Sequence, residues 1–287
     1  MFVIIGLVLL FSTVFGGYIL AGGSMAPILH ATPHELLVIL GAGIAALIIG
    51  SSLDGTKGVA AGLGRALGGP RNKKQDYIDV IVLVVKLFKL FKAEGAIALE
   101  SHIEDPKSSA IFGEYPRLLK DKSLIHMIAD TIRLLVTSNQ PPKPEAVEDV
   151  LNLVIKAHHT AELKPVSALS SLSGALPALG IVACVLGVVK TMAQIDQPPA
   201  ILGGLVGSAL VGTFLGVFLA YGVVEPIGLR LAAIVEEDGE IYHVAKAALL
   251  GHIMEYPVPL IIEGARASIN HHAQPTFGEV FDGLRAK

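Results

Sequence analysis

The sequence predicts an all-α integral membrane protein, with four transmembrane helices and a large helical lobe outside the bilayer. Three observations predict it. Of its 287 residues 52% are hydrophobic and 16% charged, at a mean hydropathy of +0.64, whereas soluble domains carry about a quarter of their residues as charges. Four apolar runs reach the length that crosses a bilayer core in a helix. No stretch alternates between apolar and polar for long, so the period-two signature of strands is missing.

The first run is Phe2–Leu20. A cleavable leader is the rival reading, but no basic residue precedes the apolar stretch and three further spans follow. The second is Leu36–Gly50, a short run able to extend at both ends. The third and fourth are Leu169–Val189 and Ile201–Val224. The chain therefore divides into spans one and two over 1–52, a lobe over 53–168, spans three and four over 169–227, and a helix and tail over 228–287. The first 52 residues hold no Lys or Arg, and of the 22 in the chain all but Lys190 fall in the lobe or after span four. By the positive-inside bias those segments and both termini are cytoplasmic.

The lobe reads as helices. "DGTKGVAAGLGRALGGPRNKK" is Gly-rich and basic and reads as a flexible exit from the membrane. "DYIDVIVLVVKLFKLFKAEG" is too short and too punctuated by Lys86, Lys89 and Lys92 to span, so it forms a packed or membrane-surface helix. "KDKSLIHMIADTIRLLVTS" is amphipathic and is ended by "NQPPKP". "PEAVEDVLNLVIKAHHTAEL" opens with proline and acids, as a helix N-terminus does. After span four, "EEDGEIYHVAKAALLGHIMEYPVP" supplies one more cytoplasmic helix, and Pro226 before it reads equally as a stop to span four.

Several functions are disfavoured. A net charge of −3, without a basic tail, does not suit nucleic acid. The single Cys184 cannot form an intrachain disulfide and reads as a small hydrophobe. His158–His159 and His271–His272 are adjacent pairs that diverge by roughly 100° on a helix, so they chelate poorly and read as solvated positions. No nucleophile–base set, phosphate loop or metal motif stands out, so neither an enzyme nor a cofactor is expected.

The spans themselves hold no Asp, Glu, Lys, Arg or His near their middles; Glu35, Lys190 and Glu225 read as edge positions. Span four instead carries Gly204, Ser208, Gly212, Gly216 and Ala220 at four-residue spacing, a small-residue stripe for close helix packing. Pro177 in span three frees a backbone carbonyl that must find a partner or line a wet passage in lipid, unless it is a plain kink. Thr213 and Cys184 are the polar or polarisable groups near mid-span on these two helices.

In order and spacing, "TVFGGYILAGG", "GAGIAALIIG", "ALESHIEDPKSSAIFGEYPRLL", "LPALGIVACVLGVV" and "LVGTFLGVFLAYGVVEPIG" resemble the MotA family of flagellar-motor stator subunits from end to end. The resemblance implies a homopentamer in the bacterial inner membrane around a dimer of MotB, whose single span carries the ion-binding aspartate. It implies that Pro177 faces that carboxylate and that Pro226 couples ion passage to the lobe. It implies that Lys92, where relatives carry arginine, and Glu100 engage the rotor protein FliG. Sodium-driven members carry threonine at two pore positions; Thr213 matches one and Cys184 replaces the other, so protons are the expected ion. The alternative is an energiser of envelope transport similar to ExbB or TolQ.

Overall fold

The computed structural model describes residues 2–138 and 142–286. Asn139, Gln140 and Pro141, where the "NQPPKP" break was expected, lie outside the described residues, as do Met1 and Lys287. Among the described residues every regular element is helical. In chain order they are α1 (Phe2–Leu20), α2 (Ala26–Gly50), α3 (Leu53–Gly68), α4 (Lys74–Glu94), α5 (Ala96–Glu104), the short α6 (Ala110–Gly113), α7 (Lys122–Thr137) and α8 (Pro144–Glu162). Then come α9 (Lys164–Met192), α10 (Pro199–Val217), a π-helical segment (Phe218–Val224), α11 (Glu225–Ile253), α12 (Val258–Ala267) and α13 (Phe277–Ala286). The chain divides into two compact units, Met1–Gly69 with Leu163–Ile234, and Pro70–Glu162 with Val235–Lys287.

Among the described residues four helical stretches are long and apolar enough to cross a membrane: Phe2–Leu20, Ala26–Gly50, and parts of Pro144–Met192 and Pro199–Ile253. The core of the first unit is small: Ile39 of α2, Leu176 and Ala183 of α9, Leu215 of α10 and Ala220 of the π segment pack together. The outward faces carry large apolar side chains such as Leu20, Leu37, Ile49 and Val189, which suits contact with lipid. Helix α1 joins through aromatic edges: Phe11 meets Phe218 at 5.1 Å between ring centroids, and Phe15 meets Phe214 at 5.9 Å.

Three sequence expectations change here. Helix α2 begins at Ala26, ten residues before the expected Leu36, because Pro27 sits in its first turn, where no N–H is required. Leu53–Gly68 is a helix and not a flexible exit. Ser52 caps it by accepting the Gly55 N–H at 3.2 Å, and Gly69 ends it at a φ of +87°. Its small faces let Gly58 sit on Pro165 and Gly62 on Leu231, so it packs with the spanning bundle and the lobe boundary moves from 53 to 69. Pro226 does not stop span four; the backbone stays helical through it to Ile253, and α12 and α13 follow where a single helix was expected.

The second unit is built around α4, whose Val80–Leu87 stretch is almost wholly buried. Its buried residues share one apolar core with residues of α5, α7, α11 and α13, which explains its long apolar run without a membrane. Lys86, one of the lysines that punctuate this helix, is largely buried and bonds Glu114 at 2.6 Å. The "YPR" of the lobe motif is structural: Tyr115 fills the core, and Arg117 reaches Asp76, which is 2% exposed, at 2.7 Å. Tyr242 donates to Asp121 at 2.8 Å, and Asp121 in turn caps α7 by accepting the Leu124 N–H.

Because Asp76 is buried, R117A leaves its charge without its cation and is expected to lower stability by about 3 kcal/mol. Denaturation of the full-length protein in detergent measures the loss. Pairing R117A with D76N is expected to recover part of it.

Candidate functional site

The candidate site lies along the seam of α9 and α10, where the sequence places glycine opposite glycine. A Cβ on Gly216 would fall 2.7 Å from the Leu176 carbonyl oxygen and 2.8 Å from the Gly180 Cα. A Cβ on Gly180 would fall 2.7 Å from the Gly212 carbonyl oxygen. The two backbones therefore touch, and no larger residue fits without separating them. The small-residue stripe, which runs from α10 into the π segment, is not uniform. Gly212, Gly216 and Ala220 are buried, Ser208 is half-buried, and Gly204 faces open space with no atom within 4 Å of a Cβ there.

Pro177 is half-buried on α9, within the helix, and cannot bond the carbonyl of Ser173. Cys184 lies seven residues on, so both occupy one face of α9, roughly 10 Å apart along the axis. Cys184 and Thr213 sit at the same level of the seam: the Cys184 backbone nitrogen would be 3.1 Å from a Cβ on Gly212, the neighbour of Thr213. Both side chains are half-buried.

Pro226 acts on the backbone before it. Its ring would crowd the carbonyl one turn back in a regular α-helix, and the segment Phe218–Val224 is instead wound as a π-helix. The Glu225 N–H reaches the Ala220 carbonyl across the wider turn. Ser173 Oγ donates to the same carbonyl at 3.1 Å, joining the proline-interrupted part of α9 to the widened part of the next helix. Between them opens a cavity of roughly 280 Å³, lined in part by Ser170, Ser173, Tyr221 and Glu225. Sequence reasoning missed the π segment and the cavity. The signal available was a proline two residues after the aromatic–aliphatic run "FLAYGVV", which allows either a stop or a widened turn.

Glu35 is a further correction. Expected at a span edge, it is the tenth residue of α2's 25, because the helix starts earlier than the apolar window does. Its Oε2 is buried against Gly212 without a hydrogen-bond partner.

In the second unit Lys92 lies in the last turn of α4 and Glu100 on α5, both exposed, with Gly95 at a φ of +83° turning the chain between them. His252, stacked on Phe88 at 4.5 Å, is held below the usual imidazole range chiefly by burial, with the Lys92 charge adding to the effect. His158 stacks on Tyr242 at 4.4 Å and His159 approaches Glu236 at 3.2 Å, so this pair is engaged and not simply solvated. Among the described residues no three His, Cys, Asp or Glu side chains gather to hold a metal ion.

Residues 4–95 match the family model described as motility protein A N-terminal, and residues 120–242 match that of the MotA/TolQ/ExbB proton channel family. The chain is 34% identical over 286 residues to motility protein A of Salmonella typhimurium, covering 100% of this chain and 96% of that protein. It is 33% identical over 276 residues to chemotaxis protein LafT of Vibrio parahaemolyticus, covering 96% and 95%. Among solved structures it is similar to a chain of C. jejuni MotAB, with a TM-score of 0.72 at 16% identity, covering 94% and 95%. A chain of the flagellar MotAB stator complex from Bacillus subtilis has a TM-score of 0.67 at 22% identity, covering 91% and 92%.

G216V is expected to push α9 from α10 and destabilise the bundle by about 1–3 kcal/mol or more. G204V, facing open space, is expected to leave the bundle unchanged. Thermal unfolding of the two variants in detergent separates these outcomes.

Proposed function

Because the chain belongs to the motility protein A family, within the MotA/TolQ/ExbB proton channel family, we propose that it is a stator subunit of a bacterial flagellar motor. The observation that carries this is the 34% identity to the Salmonella motility protein A, which runs over 286 residues and leaves no unit of the chain unmatched. The match of residues 4–95 to the motility protein A N-terminal model favours the motor over an ExbB- or TolQ-like energiser.

In this reading five copies surround a dimer of a MotB-like partner in the inner membrane, with both termini in the cytoplasm. The partner's single span supplies the aspartate that binds the translocated proton. Pro177 on α9 faces that aspartate, and Cys184 and Thr213 line the passage about two turns away. Protonation neutralises the aspartate and lets it move against the Pro177 region; release to the cytoplasm restores the charge. The membrane field does roughly 2.3 kcal/mol of work per charge per 100 mV, and that sets the energy available per step.

Pro226 and the π segment before it are the proposed coupling element, since a widened turn changes hand-off between helical registers with few bonds broken. At the other end of the chain's work, exposed Lys92 and Glu100 meet charges on the rotor protein FliG. Exposed ion pairs are each worth about 0–1 kcal/mol, which suits contacts that form and break at every step. Lysine in place of arginine keeps the charge but drops the bidentate fork.

Cells lacking their own stator but expressing this chain with its single-span partner are expected to swim. Their speed should fall when the proton gradient is collapsed and hold when external sodium is replaced. Sodium-scaled swimming would overturn the proton assignment, and paralysis of cells in which both proteins reach the membrane would overturn the motor reading. K92E is expected to slow rotation under load, with partial recovery from an opposite charge change on the rotor surface it meets.

A further inference from the structure

The proposed function locates the titrating acid on a partner, yet one acid of this chain lies inside its own spanning bundle. Glu35 Oε2 is buried and has no hydrogen-bond partner. It fills a notch that glycine alone leaves open. A Cβ on Gly212 would fall 2.6 Å from Oε2, with Ala183 Cβ and the Cys184 nitrogen both at 3.1 Å. A Cβ on Gly187 would come within 4.0 Å of Oε1 and 2.7 Å of Ala209. The carboxyl group is thus seated between α9 and α10, and alanine at position 212 would evict it.

An acid at a span edge normally extends its head group to water. This one turns Oε2 inward, to a place where negative charge on that oxygen would lack a compensating donor. A bound proton removes that charge. The titratable groups around it are few. His34 is its neighbour on α2, Cys184 lines the notch from α9, and Lys190 follows one turn beyond Gly187. Helix α10 brings none between Pro199 and Val217. The charged residues of α3 begin past Gly50, roughly 22 Å further along α2.

We propose that Glu35 is a proton-binding site of this chain, a relay carboxyl set between the end of the bundle where α2 begins and the level of Pro177. Gly187, at its notch, is ten residues from Pro177 on α9, roughly 15 Å along the helix. In the relay an O–H bond forms on Oε2 as a hydronium on the near side gives up its proton and is left as water. That bond breaks when the next base along the passage, water or the partner's carboxylate, takes it. The inference rests on the chain's being half of a proton channel, and it adds a binding site within this half.

The test uses the complex of this chain with its partner, in vesicles and in cells. Infrared difference spectra between acid and neutral pH are expected to show, in wild type minus E35Q, a protonated-carboxyl carbonyl component that shifts in deuterium oxide and stands apart from the band of the other acids. In cells, E35Q is expected to slow rotation by about tenfold or more at unchanged membrane abundance, while E35D, which keeps an acid, retains most of the speed. A protonated-carboxyl band identical in wild type and E35Q, or E35Q rotation at wild-type speed, overturns the relay while leaving the motor reading intact. Loss of speed in E35D equal to that in E35Q also overturns it, since shape and not the proton would then be what matters. Failure of the wild-type complex to rotate anything tells against the motor reading instead.

Discussion

The contact on which the spanning unit depends is backbone against backbone, α9 on α10 at Gly180 and Gly216. In lipid there is no hydrophobic gain from bringing two apolar helices together, since the surroundings are as apolar as the side chains. Association comes from close van der Waals fit. Removing the Cβ from both partners lets the helices approach until carbonyl oxygens meet Cα atoms. The same seam then sets the level of Cys184 against Thr213 and opens the notch that receives Glu35. Packing and site chemistry thus share one cause.

The prolines follow from that rigidity. A proline in a membrane helix leaves a carbonyl that lipid cannot satisfy, so the bond must be made good locally. Around Pro226 the chain does so by widening to a π turn, and Ser173 adds a donor to the Ala220 carbonyl. The cavity beside these residues carries hydroxyl groups of Ser170, Ser173 and Tyr221 and the Glu225 carboxylate. Polar groups at the end of an apolar helix pair fit the proposed coupling role of this region. They also mark it as a part of the unit whose hydrogen bonds can be exchanged at small expense.

The second unit obeys the physics of water-soluble domains. Its central helix α4 is buried along most of its length, and its charged residues are fixed by pairs such as Arg117 with Asp76 and Lys86 with Glu114. Lys92 and Glu100 lie outside this network, exposed on the turn after α4 and on α5. A rigid base with exposed charges at one turn is the arrangement that transient electrostatic contact requires.

Composition, apolar run length and the absence of period-two alternation sufficed to determine the all-α class and the four spanning stretches, because lipid admits few backbone solutions. The motifs around Pro177, Pro226 and "YPRLL" sufficed to point to the family. Hydropathy could not reveal that α2 starts at Ala26, since His30, His34 and Glu35 lower the apolar average where a proline nonetheless begins the helix. It could not assign Leu53–Gly68 to the spanning unit either: that depends on Gly58 and Gly62 fitting against Pro165 and Leu231, residues distant in the chain. Whether Pro226 ended or widened a helix was a matter of where its neighbours' carbonyls found donors. The burial of the Glu35 Oε2 was decided by glycines on other helices. Local sequence determines which segments are helical and apolar; only packing between segments decides which side chains lose their water.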